Sequence, residues 1–259
     1  MTASPLDHGR LRRRLAAGDT TVGTFIGTAS PVVGEVCAAA GLDWLLLDLE
    51  HGAGGEEQLR TLVPAAGAYG VPTLVRVESA ARIRIGRVLD LGAAGVMLPR
   101  LDSADEVAAA LRHLRYPPHG DRGVATYNRA CRFGLDPAAL ERSDSQLLGV
   151  VQIESAAALD AVDKIAALDG ADVLFVGPRD LSHDLGLPGQ FTAPRYLAAL
   201  DKVRATAAAH GKACGLLVND GAAAAARIAE GWTFVAIGSD STLLAAAVTT
   251  HLAQARTAS

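Results

Sequence analysis

Three polar side chains directly follow one of the most apolar segments of the chain, and their types suit acid–base chemistry. The segment LLLDLEHGAGG places Asp48, Glu50 and His51 within four residues, ahead of a run of glycines. An imidazole titrates near neutral pH and can transfer protons, and a neighbouring carboxylate can support it. We therefore interpret His51 as a candidate general base and Asp48 as its support, while Glu50 is the least specific of the three.

Further polar residues stand at the ends of other apolar segments. Arg76 ends one such segment, Gln152 and Glu154 end another, and Asp180 follows a third in GPRDLS. A buried charge is costly unless it is paired or bound to a metal, and Glu154 comes directly after residues that should be buried. Glu154 and Asp180 together supply two carboxylates for a hard divalent cation with oxygen ligands, which leaves positions for water and substrate.

Simpler interpretations apply to several neighbouring residues. Ser155, Asp220 and Asp240 have the types and positions of helix N-caps, and Asp180 could cap the short helix that follows it. His183, near Asp180, is only a weak candidate for acid–base chemistry. The remaining histidines fall in helices or surface segments and are interpreted as structural or solvated: His8, His113, His119, His210 and His251.

Two other chemistries are disfavoured by residue usage. No histidine pairs with a cysteine at the spacing of a zinc site. The three lysines, Lys164, Lys202 and Lys212, lie in predicted helices or at the entrance of a strand. A Schiff-base lysine would have to stand at the carboxyl end of a strand to meet a substrate. If this protein handles a carbonyl compound, a metal must therefore polarise it.

Eight short apolar, β-prone runs carry these polar residues at their ends. The runs begin at Thr21, Trp44, Pro72, Gly95, Leu147, Asp172, Ala213 and Phe234. Most are continuously apolar, as parallel strands covered on both faces are, and Ala-rich helical segments lie between them. The alternation predicts an α/β fold, a single (β/α)₈ TIM barrel over residues 1–259. A doubly wound open sheet is the alternative, and the absence of a GxGxxG turn disfavours it.

Composition narrows the class of protein. A net charge of -4 gives no electrostatic reason to expect nucleic acid or an anionic membrane as partner, and the basic run Arg10–Arg14 is interpreted as the solvated face of a first helix. Cys37, Cys131 and Cys214 are predicted to be small buried hydrophobes in a reducing compartment. Without an apolar signal core, we expect a cytoplasmic protein. The irregular segment Arg115–Gly134 is predicted to be a lid, a binding loop or a subunit contact.

Several longer segments together resemble one family. They are GLDWLLLDLEHG, LVRVE, VLDLGAAGVMLP, PPHGDRG with RACRFG, VVQIES and FVGPRDLSHDLG, in this order from about Gly23 to Ser239. They are similar to those of the HpcH/HpaI family of metal-dependent pyruvate aldolases, which includes 4-hydroxy-2-oxoheptanedioate aldolase and 2-keto-3-deoxy sugar-acid aldolases. The resemblance implies a barrel of the phosphoenolpyruvate/pyruvate-binding type.

The resemblance also implies roles for individual residues. His51 would transfer the proton, Arg76 would stabilise an enolate-like transition state, Asp48 would assist, and Asp90 of VLDLG would raise the basicity of the histidine. Glu154 and Asp180 would hold Mg²⁺, Mn²⁺ or Co²⁺, with no organic cofactor. The residues that would bind the substrate are Gln152, Gly177, Pro178, Arg179, Asp180 and Leu217.

The implied partners are a 2-keto acid such as pyruvate and an aldehyde, and the implied assembly is a trimer or hexamer. In the family the last helix, here about residues 240–256, is exchanged between subunits. Glu78, Phe133 and Phe25 depart from the pattern expected of relatives, which leaves the aldehyde undetermined. Two alternatives are a citrate-lyase-like or malyl-CoA-lyase-like enzyme acting on CoA thioesters, and a non-catalytic barrel that binds 2-keto acids.

Overall fold

A computed structural model of the chain describes residue 7 and residues 9–136 and 138–257, so the prediction for His8 lies outside the described residues. Eight parallel strands form a closed barrel in which each strand pairs with the next and the last pairs with the first. The strands are β1 (Thr21–Ile26), β2 (Trp44–Asp48), β3 (Thr73–Arg76), β4 (Gly95–Leu98), β5 (Leu148–Ile153), β6 (Val173–Val176), β7 (Ala213–Val218) and β8 (Phe234–Ser239). The predicted (β/α)₈ barrel is confirmed.

Helices surround the barrel and connect its strands. They are α1 (Gly9–Ala16), α2 (Pro31–Ala39), α3 (Glu56–Gly67), α4 (Arg82–Asp90), α5 (Ala104–Arg112), α6 (Ala139–Gln146), α7 (Ala156–Asp160), α8 (Val162–Ala166), α9 (Pro178–Asp184), α10 (Pro194–Ala209), α11 (Gly221–Ala229) and α12 (Asp240–Thr257). An irregular 3₁₀ segment, Arg129–Gly134, precedes α6. Among the described residues, none of these helices is both long and apolar enough to cross a membrane.

Alternation along each strand divides the core into two parts. Leu45 and Leu47 of β2 pack outward against the helices, whereas Trp44 and Leu46 pack inside the barrel. The Trp44 ring stacks on Phe234 with ring centroids 4.1 Å apart. Because side chains alternate with a period of two, every second residue at the carboxyl end of a strand also points into the barrel mouth. This alternation determines which strand-end residues can meet.

The helix α1 closes the opposite end of the barrel. Its buried Leu11 and Leu15 belong to the interior cluster. Arg12 forms an ion pair with Asp172 at 3.0 Å, and Arg14 forms one with Asp43 at 2.5 Å. The predicted helix is confirmed, but the interpretation of the Arg10–Arg14 run as a solvated face is wrong for these two arginines. They attach the helix to the residues that precede β2 and β6.

The long segment Arg115–Gly134 lies at the same end as α1, away from the carboxyl ends of the strands. It follows the end of α5, where Asp121 N–H donates to the Arg112 carbonyl. Its Arg122 guanidinium donates to Asp90 at the end of α4, at 2.6 Å. Both helices run from the carboxyl ends of the strands back to their amino ends. The segment therefore lies away from the barrel mouth of its own chain, and its role as a lid, a binding loop or a subunit contact stays a prediction.

The helix α12 is the least covered element of the described chain. Only Asp240 is buried, and from Leu244 onward every described residue is exposed, including Val248 and Leu252. The helix contacts β1 and β8 through its beginning. Its bounds agree with the predicted last helix at about 240–256.

Candidate active site

Inward-facing polar residues gather at the carboxyl ends of β2, β3 and β5, beside a glycine that follows β6. Asp48 of β2 lies opposite Arg76 of β3 in the parallel ladder. Gln152 lies in β5 and Glu154 just after it, and both continue the alternation of inward-facing residues along that strand. Gly177 continues the same alternation just after β6. Asp48, Arg76, Gln152 and Glu154 are all buried, so their charges and hydrogen-bonding groups must be satisfied by one another or by a ligand.

The Arg76 guanidinium is held on three sides. Its Nε and Nη2 donate to the two oxygens of Asp48 at 2.9 and 2.7 Å, a bidentate pair, and its Nη1 lies 3.1 Å from Glu50 Oε2. The Phe25 ring centroid lies 5.2 Å from the guanidinium carbon. Burial disfavours the charged form of Asp48, yet Arg76 outweighs this and lowers the pKa of the Asp48 carboxyl.

His51 stands at the open edge of this cluster, and its side chain is 67% exposed. Its Nε2 lies 3.9 Å from Glu50 Oε2, so the acid nearest the imidazole is the one that the sequence marked as least specific. Asp48 accepts the backbone N–H groups of Glu50 and His51 at 3.1 and 3.2 Å. Asp48 therefore supports the main chain of His51 and not its ring.

Glu154 is 3% exposed and is bound only by neutral donors. Its Oε1 accepts the backbone N–H of Arg100 at 2.8 Å, and its Oε2 accepts Gln152 Nε2 at 2.8 Å. Burial raises the pKa of Glu154 to about 7, and the negative charges of Asp180 and Glu50 add to this effect. The site thus contains a carboxylate whose charged form lacks a cation in direct contact.

Two further observations fit a cation beside Glu154. The buried Oε1 of Gln152 has no hydrogen-bond partner within the described chain, so an oxygen acceptor is available next to the carboxylate. A Cβ at Gly177 would lie 2.5 Å from Glu154 Oε2, so only glycine leaves this carboxylate its place. Carboxylate oxygens are the ligands that Mg²⁺ and Mn²⁺ prefer. The residues present therefore fit a hard divalent cation.

Asp180 is the second predicted ligand and lies in the first turn of α9, with its side chain 45% exposed. Its Oδ1 lies 3.6 Å from Nη1 of Arg100. No group of three or more His, Cys, Asp or Glu side chains in the described residues has the spacing of a complete metal site. Two carboxylates, with substrate and water oxygens as the remaining ligands, are sufficient for Mg²⁺.

The other predicted substrate-binding residues lie at the rim above β6 and β7. Pro178, Arg179 and Leu217 line one cavity of about 180 Å³ together with Asn219 and Tyr196. Leu217 packs against the barrel interior, whereas Arg179 is exposed. The structure therefore brings these three residues together around one cavity, which also reaches α10 and α11 outside the strands.

Asp90 is the one predicted catalytic residue that lies elsewhere. It ends α4, next to the turn that leads into β4, and it pairs with Arg122. His51 lies just after the carboxyl end of β2, whereas Asp90 lies near the amino end of β4. No hydrogen bond or ion pair joins the two residues in the described chain. A nine-residue helix alone spans roughly 13 Å. The effect of Asp90 on His51 stays a prediction.

The three residues predicted as helix N-caps differ in the contacts that they make. Ser155 and Asp220 cap α7 and α11 by accepting the backbone N–H groups three residues ahead. Asp240 differs: its carboxylate accepts the N–H groups of Gly27 and Thr28, so it fixes the loop after β1. The N–H of Thr242 is instead accepted by Ser239. The N-cap interpretation of Asp240 is wrong.

Three of the remaining histidines have structural contacts with aspartates. His113, His119 and His210 lie 2.6–2.9 Å from Asp121, Asp144 and Asp163 respectively. His183 and His251 are exposed on α9 and α12. The lysines also agree with expectation, since Lys164 and Lys202 lie in helices and Lys212 donates to the Leu168 carbonyl at the amino end of β7.

Arg100 was missed by the sequence analysis. It follows β4 in MLPR, at the same kind of strand-end position that selected Arg76, Glu154 and Asp180. Its backbone N–H binds Glu154, and its guanidinium approaches Asp180. Applying the strand-end criterion to β4 would have found it. Phe25 was noted only as a departure, and no sequence signal indicated its contact with Arg76.

The fold and the site define a class of protein: a TIM barrel with a carboxylate-lined site at the carboxyl ends of its strands, where barrel enzymes carry out their chemistry. The HpcH/HpaI aldolase/citrate lyase family matches residues 21–247. This chain belongs to that family. It is an enzyme of the lyase class, of the aldolase type.

Individual relatives are similar over nearly the whole chain. The chain is 39% identical to the 5-keto-4-deoxy-D-glucarate aldolase of Salmonella paratyphi C, over 89% of this chain and 90% of the relative. It is 41% identical to the 4-hydroxy-2-oxovalerate aldolase of Rhodococcus jostii, over 90% and 91%. A crystal structure of an HpcH/HpaI aldolase/citrate lyase family protein from Burkholderia cenocepacia superposes with a TM-score of 0.92 at 33% identity, covering 96% of this chain and 99% of that one.

Proposed function

We propose that this protein cleaves 4-hydroxy-2-oxo acids to pyruvate and an aldehyde, or forms them in the reverse direction. The observation that carries the proposal is the buried Glu154 carboxylate: the described residues bring no cationic side chain into contact with it and leave the neighbouring Gln152 oxygen without a hydrogen-bond partner. A 2-oxo acid brings carboxylate and keto oxygens that can complete such a site. The names of two relatives, a keto-deoxy-glucarate aldolase and a hydroxy-oxovalerate aldolase, support this substrate class.

Glu154 and Asp180 would hold the divalent cation, which we propose is Mg²⁺, Mn²⁺ or Co²⁺. When bound, such an ion acts as a Lewis acid that favours negative charge on the keto oxygen. Gln152 would orient the 2-oxo acid through its side-chain amide, and Gly177 keeps the space open for the Glu154 carboxylate.

Arg76 would stabilise the negative charge that develops as the carbon–carbon bond breaks. Its guanidinium cannot turn away, because Asp48, Glu50 and the Phe25 ring fix it. A donor that is held in place before the reaction needs no reorganisation when charge develops, which is the main source of electrostatic catalysis.

His51 would remove the proton of the hydroxyl on carbon four, or return it in the reverse direction. Its exposed imidazole lies at the open edge of the cluster, where a substrate can reach it. Glu50 is the carboxylate that lies nearest to its Nε2. Proton transfer by a positioned histidine typically contributes about 100- to 10,000-fold in rate.

We also propose that the working form is a trimer or hexamer in which α12 is exchanged between copies. The exposed apolar residues Leu244, Val248 and Leu252 support this, because a helix that ends a barrel would otherwise bury such a face. In such an assembly Asp90 would serve His51 of a neighbouring copy, since the two lie at opposite ends of the barrel in one chain.

The test is turnover of a panel of 4-hydroxy-2-oxo acids, followed by pyruvate release. We expect cleavage to stop with EDTA and to return with added Mg²⁺, Mn²⁺ or Co²⁺. His51→Ala and Glu154→Ala should each lose on the order of 100- to 1,000-fold in rate. Near-wild-type cleavage by both variants would contradict the assignment.

Three further outcomes separate the alternatives. Borohydride should not trap a pyruvate adduct, since the lysines lie away from the barrel mouth, and covalent trapping would overturn the mechanism. Turnover of malyl-CoA or citryl-CoA without turnover of hydroxy-oxo acids would favour the CoA-thioester alternative. Pyruvate binding without turnover of any panel member would favour a non-catalytic barrel.

A further inference from the structure

Arg100 has an unusual main-chain conformation that a neighbouring side chain holds in place. Its φ of 51° is in the left-handed region, which is unfavourable for a non-glycine residue. Its N–H donates to the buried Glu154 carboxylate at 2.8 Å. The Glu154 side chain that accepts this hydrogen bond is only 3% exposed, so it holds the backbone of Arg100 in place. The position from which the Arg100 side chain extends is therefore fixed.

The guanidinium of Arg100 extends over the end of β5 towards α9. Its Nη1 lies 3.6 Å from Asp180 Oδ1, which is an ion-pair distance but too long for a good hydrogen bond. The Arg100 side chain is 63% exposed, and no hydrogen bond to its guanidinium is formed within the described residues. Its donors are therefore available to a ligand in the mouth.

The two arginines of the site differ in what they can still bind. Arg76 is buried, and Asp48 and Glu50 engage three of the five N–H donors of its guanidinium, which leaves two for the reacting centre. Arg100 lies on the other side of Glu154, next to Asp180, with its donors facing solvent. A substrate that already fills the cation site with its 2-oxo acid end would present its other end to this second arginine.

We propose that Arg100 is a specificity-determining residue that binds a carboxylate on the aldehyde half of the substrate. The proposal rests on the proposed aldolase function and adds to it the residue that selects acceptor aldehydes carrying an acid group over uncharged ones. A guanidinium offers paired N–H donors in the planar geometry that a carboxylate accepts, so it favours such an aldehyde over an uncharged one of the same length.

The test compares two four-carbon acceptors, 4-oxobutanoate and butanal, in condensation with pyruvate. The measured quantity is the ratio of kcat/KM for the acid to kcat/KM for the neutral aldehyde. Arg100→Asn suits the backbone, because asparagine tolerates the left-handed region. We expect this ratio to fall by about 10- to 100-fold, which is the usual worth of a hydrogen-bonded charge pair. Arg100→Lys should keep part of the preference.

A matched control is Arg204→Gln on α10, which removes a partly exposed arginine whose ion pair within the described residues is with Asp201 on the same helix. This control should leave the ratio unchanged, so that the effect of net charge alone is excluded. An unchanged ratio in Arg100→Asn, or an equal loss with both aldehydes, would overturn the role of Arg100. Absence of condensation by the wild-type enzyme with either aldehyde would instead contradict the proposed function.

Discussion

Two buried charges at the barrel mouth are satisfied in opposite ways. Asp48 is paired bidentately with Arg76, which lowers the pKa of its carboxyl although burial opposes this. Glu154 receives only an amide and a backbone N–H, and burial raises its pKa to about 7. An ion pair satisfies the first charge within the chain, whereas the described residues offer the second no cation in direct contact. This contrast supports the proposal that Arg76 is part of a fixed framework and that Glu154 binds a ligand.

The fixed arginine gives a first prediction. Arg76→Lys should lower kcat by on the order of 100-fold, because an ammonium cannot reproduce the bidentate contact and leaves Asp48 partly unpaired. Steady-state kinetics would measure this, with circular dichroism to confirm folding. Arg84→Lys is the matched control, since Arg84 forms a partly exposed pair with Glu56 on the outer helices. A kcat for Arg76→Lys within threefold of wild type, roughly 0.7 kcal/mol, would refute the role.

Glu154 gives a prediction for the metal-free protein. Its carboxyl keeps a proton up to about pH 7 when folded but releases it near pH 4.5 when unfolded. The folded state therefore binds more protons in this window, and the free energy of unfolding should fall as pH rises through it, by up to about 3 kcal/mol. Urea unfolding in EDTA between about pH 5 and pH 8 would measure the slope. Glu154→Gln should remove this component, and an identical slope in both proteins would exclude it.

At the scale of elements, the turn between β6 and α9 shapes the proposed cation site. Gly177 follows the inward positions of β6 and faces Glu154 on the neighbouring β5. The same turn leads into α9, whose first turn carries Asp180. One short connection therefore makes room for one proposed ligand and supplies the other.

Gly177→Ala tests this element. The added Cβ would lie 2.5 Å from Glu154 Oε2, so the carboxylate must move. We expect Mn²⁺ affinity, measured by titration calorimetry, to weaken at least tenfold, with a stability loss of about 1–3 kcal/mol. Gly86→Ala is the matched control, because Gly86 lies inside α4 with open space at the Cβ position. Unaltered Mn²⁺ affinity in Gly177→Ala would show that this glycine does not shape the site.

At the scale of the whole molecule, the barrel separates residues that the family resemblance groups together. The helices lead the chain from the carboxyl end of each strand to the amino end of the next one. The end of α4 and the segment Arg115–Gly134 therefore lie at the amino ends of the strands, whereas His51 lies at the carboxyl ends. Arg122 is buried against the Tyr116 ring and pairs with Asp90. Any action of Asp90 on a histidine therefore requires a second copy of the chain.

Mixed assemblies test that requirement. His51→Ala and Asp90→Asn should each be impaired alone, whereas co-assembled chains should recover activity, approaching about a quarter of wild type for random pairing of equal amounts. The measurement is pyruvate release by the co-expressed variants. The control pair is His51→Ala with Glu154→Ala, which damages the same site in both chains and should recover nothing. Exchange of subunits without recovery in the first pair would rule out the contribution of Asp90 across copies.

Much of this architecture follows from the sequence alone. Continuous apolar runs with helices between them predict a parallel barrel, because parallel strands are covered on both faces and are therefore apolar at successive positions. The period of two along a strand then places Asp48, Arg76, Gln152 and Glu154 in the same barrel mouth. Local spacing was thus enough to predict the strands and, apart from Arg100, the charged strand-end residues of the site.

The pairing of those residues was decided only by the tertiary structure. Strand-end spacing cannot tell that Asp48 pairs with Arg76 and leaves Glu50 nearest to His51, because the choice depends on side-chain reach across neighbouring strands. Nor can it show that Asp90 lies at the far end, or that Arg100 is anchored on Glu154. Residue type and period determine which groups enter the site, whereas distance and burial, which only the closed barrel defines, determine what each group does there.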